Sequence, residues 1–83
     1  MFKNKAGKRN NICGEAVAEI RKAAVPKMSQ RALADALQLV GIDVDKNAIQ
    51  RIESGQRFVT DIELAALSAV LGVSPLVLLN YTG

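Results

Sequence analysis

Residues 45–55, DKNAIQRIESG, decide the fold. They read as one short helix with both ends marked. Asp45 is a residue type that caps a helix start by accepting an orphan backbone N–H. Gly55 takes the left-handed conformation that ends helices at little cost. At about 100° per residue, Lys46, Asn47, Gln50, Arg51 and Ser54 fall within an arc of roughly 140°, and Ala48, Ile49 and Ile52 fall on the other side. One face is apolar and buries; the other is a stripe of long polar donors with no acid in it.

Downstream, Thr60 and Glu63 have the spacing of a capping box, in which hydroxyl and carboxylate each satisfy an orphan N–H. A fourth helix then runs from Asp61 to Leu71 and stops at Gly72. Ser74-Pro75 is a start signal for a fifth, carrying Leu76, Val77, Leu78 and Leu79. Upstream, Ser29 caps a second helix whose buried face is marked by Leu33, Leu37 and Val40, with Gly41 as its C-cap and Met28 as a staple before it. A first helix begins at Ile12 with an apolar stripe of Ile12, Ala16, Ile20 and Ala24, Val17 beside them, and Pro26 stops it. Sustained alternation of β-branched residues is missing, so strands are not expected. The reading is all-α: a compact bundle of five short helices.

The chain has 83 residues, one domain in size. Apolar residues make up 49% and aromatics only 4%, so the core must be built from Ala, Leu, Ile and Val. With no histidine and one cysteine, Cys13, the common metal-ligand sets, the His-based nucleophile pairs and any internal disulfide are absent. Cys13 reads as a packed free thiol. Asp43, Asp45 and Asp61 read as caps and turn residues, so an enzyme is not expected, nor a cofactor or small-molecule ligand. No apolar run is longer than Leu76 to Leu79, which is too short to span a membrane, and no apolar stretch follows the basic start as in a secretory signal. A cytoplasmic setting is the natural expectation.

The net charge of +3 is unevenly spread. Residues 1–11 hold Lys3, Lys5, Lys8 and Arg9 and no acid, and read as a flexible basic arm; residues 12–83 are close to neutral and read as the folded domain. Such an arm suits a polyanion and equally suits a solvated tail. The stripe on residues 45–54 is the sharper signal. Arginine and lysine can donate to guanine O6 and N7, asparagine and glutamine can pair with adenine N6 and N7, and an α-helix fits the B-DNA major groove. An ordinary exposed helix face has the same composition.

The ordered set SQRALADAL, DKNAIQRIESGQR and TDIELAALSAVLGVS resembles the helix-turn-helix of phage-repressor and Cro-type (XRE-like) regulators, over residues 12–80. The resemblance implies a lambda-repressor-like fold with the helix-turn-helix formed by helices two and three. It implies that Lys46, Asn47 and Arg51, with Gln50 beside them, face bases, and that Gln30, Ser54, Gln56 and Arg57 contact phosphates. It also implies that Glu53 pairs with an arginine of helix one, here Arg21. Two links depart from the family pattern. QLVGID, between helices two and three, is longer than the compact turn: either helix two gains a turn through Gln38–Val40 or the loop bulges. KAAVPKM is also slightly long.

The function expected is sequence-specific binding of double-stranded DNA by a small transcriptional regulator, a repressor, acting as a homodimer. Leu76, Leu78, Leu79 and Tyr81 would either form the interface or close the monomer core. The alternative is a protein-interaction module of the same fold, such as an antitoxin or regulator subunit. No second domain for sensing a ligand is expected.

Overall fold

The computed structural model describes residues 9–79; Lys3, Lys5, Lys8 and Tyr81 lie outside them. Among the described residues the chain forms five helices and no strand: α1 (Gly14–Ala23), α2 (Gln30–Leu39), α3 (Lys46–Ser54), α4 (Asp61–Leu71) and α5 (Pro75–Leu79). The start and stop signals act where the side-chain chemistry places them. Ser29 accepts a hydrogen bond from the Ala32 N–H at 3.0 Å, and Asp45 from that of Ala48 at 2.8 Å. Thr60 and Glu63 close both halves of their capping box. Gly41, Gly55 and Gly72 all adopt positive φ after helix ends.

The core is aliphatic, as so few aromatics require. Val17, Leu33, Leu37, Ile49, Ile52, Leu67 and Leu78 are its largest fully buried side chains, with Ala16, Ala34, Val44 and Ala48 filling the closer approaches. α3 packs on both α1 and α2, α4 packs on the same two helices, and α5 closes the bundle against α1 and α4. Met28 packs on this core just ahead of α2. Cys13 is buried at the start of α1; burial pushes its thiol above the ordinary range, although a backbone hydrogen bond and the charge of Arg9 work the other way.

Two expected faces differ in the structure. α2 does extend through Leu39, but Val40 is 57% exposed and not part of the buried face. The reason is backbone geometry. Val40 is already at the cap, its N–H bonded to the Leu37 carbonyl, and left-handed Gly41 then reverses the chain. The returning link places Val44 in the core and Ile42 against it. Gln38 ties that link down by donating from Nε2 to the Val44 carbonyl at 2.7 Å. In α1, Ile12 precedes the helix and is exposed, and Ala24 is an extended C-cap. The stripe therefore narrows to Ala16, Val17 and Ile20, joined by buried Arg21.

Candidate nucleic-acid interface

α3 divides as its wheel predicts. Ala48, Ile49 and Ile52 are buried, and Lys46, Asn47, Gln50, Arg51 and Ser54 are all exposed on the opposite side. Glu53 lies at the edge and turns inward. Its carboxylate receives Arg21 Nε at 2.6 Å and Arg21 Nη2 at 3.0 Å, a two-point pair whose side chains are each only 9% exposed. Such planar, charge-assisted pairs fix both partners in orientation as well as distance. Arg21 Nη1 also donates to the Met28 carbonyl at 3.0 Å. The pair implied by the resemblance is therefore present, and it sets the rotation of α3 about its own axis.

Two of the residues expected at phosphates have structural partners. Gln30, at the first turn of α2, donates from Nε2 to Glu53 Oε1 at 2.9 Å, so α1, α2 and α3 meet at one carboxylate. Arg57 forms a two-point pair with Glu63, Nη1 to Oε1 and Nη2 to Oε2, both at 3.0 Å. Burial alone would raise the Glu63 carboxyl, but the hydrogen bond from Arg57, those from Thr60 and the Arg57 charge outweigh it and hold the group below the usual carboxylate range. Ser54 and Gln56 are exposed, with Ser54 Oγ donating to the Arg51 carbonyl at 3.2 Å. The backbone amides of Gly55, Gln56 and Arg57, candidates for holding phosphate, all turn back onto the carbonyls of Arg51 and Ile52.

Two features were missed in the sequence. Arg31 and Asp35 flank a groove between α2 and the start of α3 that ends at Lys46. Their spacing on α2 could have shown that they share a face with Gln38, but not that this face opens beside α3. Arg9, Asn10 and Asn11, assigned to the arm, hydrogen-bond to the end of α3 and the loop after it. A polar tripeptide next to a basic run carries no local signal for such docking.

Among the described residues, no group of acidic or cysteine side chains could hold a metal ion, and no helix is long and apolar enough to cross a membrane. Comparison with curated proteins and with solved structures found no match. A sequence model of the helix-turn-helix family matches residues 17–78, from the buried face of α1 to Leu78 of α5. With five helices in this order, the buried arginine–glutamate pair behind α3 and that match over most of its length, the chain belongs to the XRE-type helix-turn-helix family of DNA-binding transcription regulators, with the all-α lambda-repressor-like fold.

Proposed function

We propose that the protein is a cytoplasmic, sequence-specific repressor that reads the major groove with α3 and has no catalytic activity. Lys46, Asn47, Gln50 and Arg51 read base edges. Gln30, Ser54, Gln56 and Arg57 hold the phosphate backbone, which positions the helix without reading sequence. For Gln30 and Arg57 this means sharing donors with Glu53 and Glu63. The observation that carries the reading is the acid-free exposed face of α3, locked from behind by Arg21 and Glu53. A homodimer would place two copies of α3 on half-sites one helical turn apart, through the exposed Leu76, Val77 and Leu79 of α5.

Selection of binding sites from a random duplex pool with the purified protein tests this. A palindrome with half-sites about 10 base pairs apart is expected. Weak, salt-sensitive binding with no motif overturns it. The second reading, a protein-interaction module such as an antitoxin or regulator subunit, is favoured by one observation: Leu39, Val40, Phe58 and Ile62 stand exposed outside α5 as well.

A further inference from the structure

The end of α3 is closed by a segment distant in sequence. Arg9 Nη2 donates to the Glu53 carbonyl at 2.8 Å. The Asn10 backbone N–H donates to the Gly55 carbonyl at 2.7 Å, and Asn10 Nδ2 to the Gln56 carbonyl at 2.8 Å. Asn11 Nδ2 reaches both Ile52 O at 3.0 Å and Arg57 O at 2.7 Å. Every carbonyl from Ile52 to Arg57 except that of Ser54 thus has a donor from residues 9–11. Helix ends leave such carbonyls orphaned, and the amides of this loop are already turned inward on α3. Asn11 also accepts from the Gly14 N–H at 2.8 Å, so one buried side chain joins the start of α1 to the end of α3. The approach is close: a Cβ on Gly14 would collide with the Ile52 carbonyl oxygen, and the Arg9 side chain lies over Gly55. The Arg9 charge also complements the negative end of the helix dipole.

We propose that Arg9, Asn10 and Asn11 are positioning residues for DNA binding. They fix the last turn of α3 and the loop of residues 54–57, and so set where Arg51, Ser54 and Gln56 stand against the duplex, without touching it themselves. This rests on the reading of α3 as the base-reading helix. A site held by rigid supporting contacts loses complementarity when that support is loosened.

The test uses the full chain with Asn10→Ala, Asn11→Ala and Arg9→Ala, at a temperature where circular dichroism shows each folded. Asn11 is buried, and if Asn11→Ala does not fold, half-buried Asn10→Ala carries the test, since its side chain makes a single bond to the loop. Both asparagine changes leave net charge unaltered. They are expected to weaken binding of the selected duplex about tenfold, the size of one lost hydrogen bond, and binding of random duplex by less, because Arg51 reads bases only on the selected site whereas Ser54 and Gln56 meet phosphate on both. Amide exchange at Gly55, Gln56 and Arg57 should quicken at the same time. In Arg9→Ala the salt dependence of affinity should keep its slope; a fall of about 0.9 marks a lost phosphate contact and overturns the positioning role. Affinity and exchange equal to the unaltered protein in both asparagine variants also overturn it, leaving the reading of α3 intact. If the unaltered protein selects no duplex, the reading of α3 fails and the proposal with it.

Discussion

Glu53 is the residue on which the interface turns. It receives Arg21 from α1 and Gln30 from α2 on one carboxylate while its own backbone belongs to α3. Removing one partner from a buried charge pair leaves the other uncompensated. Glu53→Gln should therefore destabilise the fold by roughly 3 kcal/mol or more in urea unfolding; a loss below about 1 kcal/mol would show that water reaches Arg21 in place of the carboxylate. Arg51 presents the opposite case, being exposed with nothing to stabilise on its outer face. Arg51→Ala should leave stability unchanged and cost about 1–3 kcal/mol of affinity at one base pair of the preferred site. Equal losses on preferred and random duplex would sink the base-reading role. The two residues also differ in how far sequence could reach them. At 100° per residue Glu53 falls between Ile49 and Lys46, at the edge of the buried face, and the resemblance supplied Arg21. Neither could show Gln30 on Glu53 or Arg57 on Glu63, because a long polar side chain can reach a carboxylate or a phosphate and only the fold decides which carboxylate is near.

Among the elements, the capped starts and the glycine stops after α3 and α4 were legible, and the buried faces at the ends of α1 and α2 were not. Ser29, Asp45 and Thr60 cap through bonds spanning three residues, which sequence contains in full. Val40 leaves the buried face because helical periodicity stops at Leu39, one residue before it, and Gly41 then reverses the chain. The glycines themselves give a paired prediction. Gly41 has φ +88° with nothing within 4 Å of a built Cβ, whereas Gly55 has φ +85° with Arg9 Cζ 2.7 Å away. Gly41→Ala should cost about 1 kcal/mol, the strain of the left-handed conformation alone. Gly55→Ala carries the same strain and must also displace Arg9 from the Glu53 carbonyl, adding about 1 kcal/mol. Equal costs in thermal unfolding would mean that Arg9 gives way freely. The loop between α3 and α4 adds a pH dependence. Glu63 is held below the ordinary carboxylate range in the fold, so its contribution is fully present above the unfolded value and is lost as pH falls through the folded one. Stability should thus decline on acidification below the usual carboxylate range, and Glu63→Gln should flatten that decline. An unchanged pH profile in the variant would assign the acid sensitivity to other carboxylates.

Taken together, the bundle spends its apolar residues in two ways. Leu78 is fully buried where α5 packs on α1 and α4, so this short helix closes the core. Its neighbours Leu76 and Val77 face outward, Leu76 at 65% exposure, with Leu79 at the margin. Sequence left the role of these leucines open between core and interface, and the structure divides them, since a five-residue helix can turn only one side to the core. A small domain gains little stability from apolar side chains in water, and a cluster of them is a typical mark of an interaction surface. If that surface joins two copies, binding at one half-site makes binding at the second effectively intramolecular, and affinity for a palindrome rises without any new DNA contact. Leu76→Lys isolates this effect, because an exposed position can accept the charge without touching the core. The variant should unfold at the temperature of the unaltered protein. It should sediment as a monomer at concentrations where the unaltered chain dimerises, and should bind the full palindrome no more tightly than each copy binds a single half-site. Tight palindrome binding by the charged variant would exclude α5 as the two-fold interface and direct attention to exposed Phe58 and Ile62, in the link after α3 and the first turn of α4.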